Sequence, residues 1–273
     1  MSADAPNCAN FLLWGKFQEA DVVRSKFDTL KVVVFSATVS TTGAAFATGG
    51  AGGDSCEGLP NHSQLQSALQ AALGGNGGLN FPMWGTIVNR DGEVCAVAKT
   101  SGDPWPGSRV ISAQKANTAN AFSSNNLALS TANLYSATQP GGSLFGLQES
   151  NPVDPRVAYR GKGRDFGTSK DPMVGLRIGG INVFGGGVAL YNKGDGKTVL
   201  GGLGVSGDTA CADHNIAWKV RVALGFNRVP SGLAPGGTDN IIYDVNSNGA
   251  SAGGFGHPKC NESSVAPANN VTQ

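Results

Sequence analysis

Charge is scarce in this chain: 14% of its 273 residues are Asp, Glu, Lys or Arg, and the formal net charge is +1. Gripping nucleic acid takes clustered Lys and Arg on one face, so that class of function is argued against. Histidine is scarcer still, with His62, His214 and His257 far apart in sequence. Together with the lack of any C-x-x-C spacing, this counts against a structural zinc site. No apolar run outside the N-terminal region is long enough to suggest a membrane span. Acids are missing where one motif would need them. Gly202-x-Gly204-x-x-Gly207 has the spacing of a dinucleotide fingerprint, which requires an acidic residue about 20 positions on, at the end of a second parallel strand. No Asp or Glu occurs from Ala223 to Thr238, where the chain is a Gly/Pro loop. Gly204-Val205-Ser206 likewise opens like a nucleophile elbow, yet Asp208 stands where the closing glycine belongs. Ser206 reads as a turn residue.

Glycine, by contrast, is plentiful, with 41 residues and no G-X-Y period, which points to turns and loops. Apolar residues make up 40% of the chain, enough for a substantial core. Asn61 is placed to cap a helix whose Leu65, Ala68, Leu69, Ala72 and Leu73 recur at i, i+3, i+4, i+7 and i+8. Met83 to Asn89 and Glu93 to Lys99 read as a hairpin turning at Arg90-Asp91-Gly92. The rigid loop at 102–107 leads into an Ala-rich helix from Arg109 to Phe122, and a second helical stretch covers Leu127 to Ala137. A polar insert follows at 141–172. Val174 to Phe184, Val188 to Tyr191 and the apolar stretch around Val199 to Val205 read as strands. Asp208 or Thr209 then caps a helix running to about Gly225, with Asp213 in its first turn, where a carboxylate meets the positive end of the helix dipole. Residues 227–273 read as an irregular tail wrapping the surface. This order predicts an α+β domain at 59–226 with a mainly antiparallel sheet of about five strands and packed helices.

The N-terminal region reads as an export signal. Arg24, Lys26 and Lys31 precede the apolar run Val32 to Val39, and Ala45-Phe46-Ala47 supplies an A-x-A cleavage site before a Gly-rich linker at 48–58. Residues 1–47 are thus a signal peptide or an N-terminal extension, longer than usual, which a translation start further along, near Val22 or Val23, would shorten; the plainer alternative is a β-strand with a flexible tail. Cleavage removes Cys8 and leaves Cys56, Cys95, Cys211 and Cys260, an even set that an oxidising compartment would pair in one of three connectivities. A periplasmic or secreted location follows from both features.

The run Gly204-Val205-Ser206-Gly207-Asp208-Thr209, with an Asp beyond it, resembles the "GVSG-x-T…D" signature of the GlcG/HbpS-like family of haem-binding or "haem-degrading" domains. Ile87 to Ser123 resembles that family's opening strand pair and its Arg- and Lys-bearing helix, and Ile181 to Tyr191 its "GGVP" strand. The resemblance spans roughly Leu59 to Phe226. Ala189 departs from it where a proline is usual, and the 141–172 insert is longer than in short members. The resemblance implies a profilin-like fold, a homo-oligomer, and haem as the cofactor of a non-catalytic binding or sensing protein; a corrinoid is a close variant, through likeness to the C-terminal domain of the PduO adenosyltransferase.

A tetrapyrrole needs an apolar wall, an axial ligand and cations for two propionates. Trp84, Trp105, Phe122 and Trp218 are candidates for the wall, His214 for the iron, and Arg109 and Lys115 for the propionates, beside the turn that holds Asp208. His214 has a plainer reading as a first-turn helix residue bonded to its neighbours. No C-x-x-C-H occurs, which excludes covalent c-type attachment. Two other functions fit the same sequence: a cofactor-free periplasmic structural or interaction module, and a small-molecule enzyme or accessory using the Arg109/Lys115 helix and the Asp208 turn as a carboxylate pocket.

Overall fold

The computed structural model describes residues 55–100 and 102–270. The expected export signal, Cys8 and most of the expected linker lie outside the described residues.

Helix α1 (His62–Ala71) starts at Asn61, whose side-chain oxygen accepts from Gln64 N while the Gln64 side chain accepts from Asn61 N. This reciprocal cap satisfies two otherwise orphaned donors. Leu65, Ala68 and Leu69 form its buried stripe. Strands β1 (Trp84–Asn89) and β2 (Val94–Lys99) make the expected hairpin, with Gly92 at φ 76° in its turn. The Asn89 side chain accepts from Asp91 N and Glu93 N and so holds the turn shut.

Helix α2 (Ser108–Ala121) follows the Pro104–Gly107 loop, and α3 (Thr131–Thr138) starts four residues later than the sequence suggested, because Ser130 and Asn133 form a capping box there. A one-turn helix, α4 (Pro155–Ala158), lies within the polar insert. Strands β3 (Gly187–Tyr191) and β4 (Val199–Ser206) complete one sheet in the order β2-β1-β4-β3, antiparallel throughout. Helix α5 (Ala210–Leu224) is capped by the Thr209 hydroxyl, which accepts from Ala212 N, and ends at Gly225 in the left-handed region. A short helix, α6 (Val265–Asn269), lies near the end of the chain.

Four strands are thus found among the described residues where about five were expected. Residues 174–184 do not join the sheet as a strand. Gly175, Gly179 and Gly180 all take positive φ, and the segment's strand-like pairing is limited to isolated bridges at Arg177 and Gly179. Asp208 is likewise not the cap of α5; its carboxylate is used elsewhere.

Side chains alternate across the sheet as the two-residue period requires. Ile87, Val188, Leu190, Leu203 and Val205 face α1 and α5, in a core with Leu65, Leu69, Ile216 and Val220. The opposite face, carrying Trp84 and Val88, packs on Val110, Ala113 and Ala116 of α2. On that face β4 presents Gly202 and Gly204. A side chain at either would collide with α2 backbone, at Ala116 O or Ser112 O respectively. The glycines of the signature strand are there so that a helix can lie directly on the strand.

Two disulfides, Cys56–Cys95 and Cys211–Cys260, select one of the three possible pairings. The first ties the chain before α1 to β2, and the second ties the C-terminal segment to the start of α5. No helix among the described residues is long and apolar enough to cross a membrane.

Candidate functional site

The turn from β4 into α5 sorts its neighbours into an enclosed set and an outward set. Enclosed first is Lys115, whose Nζ donates to Asp213 Oδ2 at 2.6 Å and to Val205 O at 3.1 Å, 4.8 Å from the Phe184 ring centre. Asp213 Oδ1 accepts from Asp208 N at 2.8 Å. Both charges lie out of water. Burial lowers the Lys115 pKa and pushes that of Asp213 up to about 6, against the pull of each on the other. Since α2 and α5 pack on opposite faces of the sheet, this ion pair clasps the two layers past the end of β4.

His214, the next residue, is fully buried. Its Nε2 accepts from Ile241 N at 3.1 Å and lies 3.1 Å from Asn240 Oδ1, while Nδ1 has no hydrogen-bond partner. Burial takes its pKa down to about 4, so the ring is neutral at physiological pH. His257 comes from the C-terminal segment. Its Nδ1 lies 2.7 Å from Pro258 O, Nε2 accepts from Gly185 N at 3.4 Å, and burial lowers it to about 4 as well.

Arg109 is enclosed elsewhere. Nε and Nη2 grip Asp171 at 2.9 and 2.5 Å, Nη1 donates to Ala158 O at 2.8 Å, and the guanidinium stacks 3.7 Å over Phe166. Six residues apart on a helix, Arg109 and Lys115 point to different sides of α2, and each is spent on its own carboxylate. A ligand arriving from solvent finds neither cation free, so the expected convergence of Arg109, Lys115 and His214 on one opening does not occur within the chain. Trp84 and Trp218 are core residues and Phe122 is half-buried in a cluster with Leu129 and Leu134.

The outward set is different. Asp208 accepts from Leu79 N at 2.8 Å and Phe81 N at 3.2 Å, pinning the 77–82 loop beside the signature turn. Phe81, Pro82, Thr100, Leu73 and Asp208 line a cleft of about 360 Å³. Trp105 is 50% exposed and its ring lies 4.9 Å from that of Phe81, while Leu79 is 57% and Leu73 37% exposed. So Asp208 and Trp105, both singled out from sequence, do come together through Phe81. That residue was missed, because a lone Phe before a proline carries no signal until the loop is seen folded onto Asp208.

The cleft is lined by apolar Leu73, Phe81, Pro82 and Ile216 together with polar Asn76, Asn80, Thr100 and Asp208. Its lining has no histidine, cysteine, methionine or cation, so it does not supply an iron ligand or partners for propionates.

Residues 61–221 match the sequence pattern of one family, described as "Haem degrading protein HbpS-like". No curated protein matches the chain. Among solved structures, a PduOC:heme complex is similar over 61% of this chain and 94% of its own, at 24% identity and a TM-score of 0.43. Klebsiella pneumoniae protein ORFY is similar over 59% and 86%, at 22% identity and a TM-score of 0.40. A structure of HbpS is similar over 60% and 86%, at 18% identity and a TM-score of 0.39.

Proposed function

The chain belongs to the HbpS-like family, and from that membership we propose that it is an exported protein that binds haem reversibly, without turnover of its own. The observation that carries the reading is the apolar surface that Leu73 and half-buried Phe81 give the cleft next to the signature turn, with exposed Trp105 packed against Phe81. Large apolar side chains left in water beside a cleft mark a place for something to bind. This surface is also held in place, since Asp208 fixes the loop that carries Leu79 and Phe81. Haem would lie with one face on this surface, and binding would rest on ring contact. The two disulfides support export, because such bonds persist in oxidising compartments.

Haemin titration followed at the Soret band tests the reading. Removing one stacked aromatic forfeits about 1 kcal/mol of contact, so Trp105→Ala should weaken binding by about fivefold. His214→Ala and His257→Ala should leave the position of the band unchanged. A band shift confined to His214→Ala would instead place the iron on His214 and require the start of α5 to open. Wild type that retains no more haemin than an unrelated protein would favour the cofactor-free module, a reading supported by the way Arg109, Lys115 and His214 are all engaged internally.

A further inference from the structure

The loop that follows α4 gathers cations in a chain that has few charges. Residues 159–170 carry Arg160, Lys162, Arg164 and Lys170 against one acid, Asp165, whereas the whole chain nets +1. We propose that this loop is a docking surface for an anionic lipid bilayer, which holds the protein reversibly at a membrane face. The proposal stands apart from the haem reading and does not depend on it.

One buried side chain closes the loop at its base. Arg109 Nη1 donates to Ala158 O while Nε and Nη2 grip Asp171, so residues 158 and 171 meet on a single guanidinium. Asp171 also accepts from Gly167 N at 2.7 Å and from Met173 N at 3.0 Å. Phe166, half-buried, lies against the guanidinium. A compact loop of this length, with its ends joined and one of its own side chains packed inside, is an Ω-loop, a class that frequently serves function. Its shape is therefore set without help from its charged side chains.

Those side chains are left to solvent. Tyr159, Arg160, Gly161, Lys162, Gly163 and Arg164 are exposed in unbroken succession, and Lys170 is exposed at the other end. Among the described residues, the side chains of Arg160, Lys162 and Lys170 have no hydrogen-bond or ion-pair partner. Arg164 reaches only its neighbour Asp165, at 3.7 Å, in an exposed contact of little strength. Like charges crowded on a short loop repel one another, and an anionic surface turns that repulsion into attraction.

Tyr159 favours a bilayer over other polyanions. It is 70% exposed at the head of the cationic run. Tyrosine is enriched at the boundary between water and lipid, where the ring meets apolar chains and the hydroxyl stays among headgroups. Neither an acidic peptide nor a duplex with its bases stacked away offers the ring such a layer. Gly161 and Gly163 carry no side chain, so nothing at those positions holds the neighbouring cations away from a plane.

Co-sedimentation of the purified chain with vesicles, in the absence of haemin, tests the proposal. Vesicles of phosphatidylglycerol mixed with phosphatidylcholine are compared with phosphatidylcholine alone. At about 0.1 M salt the chain should partition more strongly onto the anionic vesicles, and at about 1 M salt, where charges are screened beyond about 3 Å, that preference should vanish. One cation at an anionic surface is worth about fivefold in partitioning, so Arg160→Ala and Lys162→Ala should each weaken binding by about that factor. Neither side chain holds a partner in the fold, so both variants keep its structure. Lys197→Ala removes the same charge from the exposed β3–β4 turn and should change binding by less than about twofold. Equal partitioning onto the two kinds of vesicle, or equal losses in Lys197→Ala and Lys162→Ala, overturns the proposal. So does displacement of the vesicles by duplex DNA at the same phosphate concentration, which would assign the loop to nucleic acid instead.

Discussion

Two buried histidines make this protein sensitive to mild acid. His214 and His257 titrate near 4 in the folded chain, against an ordinary value of 6.5, because burial disfavours the charged ring. As the pH falls from about 6.5 toward 4, the unfolded chain takes up protons that the folded chain refuses, and stability falls with it; above pH 6.5 the contribution is complete. Asp213 acts in the opposite sense. Its carboxyl is raised to about 6, so between about 6 and 3.8 the folded chain binds a proton that the unfolded one does not, which offsets part of the loss. Two groups against one leave a net loss on the order of 3 kcal/mol between pH 7 and 4.5. Urea unfolding at the two pH values measures it, and His214→Gln or His257→Gln should flatten the slope. A stability that is flat across this range would show that these rings are not held neutral by burial.

At the scale of elements, the packing of α2 on β4 depends on glycine at Gly202 and Gly204. Alanine at 204 would press its methyl group into Ser112 O and Ala116 N, backbone atoms that move only if the helix moves. Overpacking of this kind costs typically about 1–3 kcal/mol, and a contact with backbone belongs at the upper end. Gly204→Ala should therefore lower the unfolding free energy by about 3 kcal/mol, whereas Gly107→Ala, with open space around it, should cost far less. Equal effects of the two would remove the packing account. Helices α1, α2 and α5 and the β1–β2 hairpin were legible in the sequence because each carries a period, a cap or a turn of its own. The segment 174–184 was not, because its apolar residues look strand-like while three glycines turn the backbone away from the ladder. The partners of the buried charges were not legible either. Arg109 meets Asp171 across 62 residues and Lys115 meets Asp213 across 98, and no local pattern says which acid meets which base. Of the site, Trp105 and Asp208 were legible as positions, while the loop that joins them is visible only once folded.

For the molecule as a whole, the segment after α5 runs largely at the surface but sends a few residues into the interior. Asp239 receives both terminal nitrogens of Arg221 at 2.7 Å, Asn240 and Ile241 meet His214, and Cys260 is bonded to Cys211. Both disulfides fasten chain outside the main run of elements onto that run, closing separations of 39 and 49 residues. In the chain-entropy account, loops of this length contribute about 4 kcal/mol each by restricting the unfolded state. Together that is about 8 kcal/mol, comparable with the 5–15 kcal/mol that holds a typical domain folded. Reduction should therefore take the protein close to its folding limit, and opening should spread from the C-terminal segment, because freeing Cys260 loosens the residues that satisfy Arg221 and His214. The measurement is thermal unfolding with and without reductant, joined to hydrogen exchange at Ile241 N and His257 N. A large drop in melting temperature with early exchange at both amides is the expected outcome. A reduced protein that melts within a few degrees of the oxidised one, with both amides still protected, would mean that burial of the Asp239–Arg221 pair and the core around it holds the segment without its disulfide.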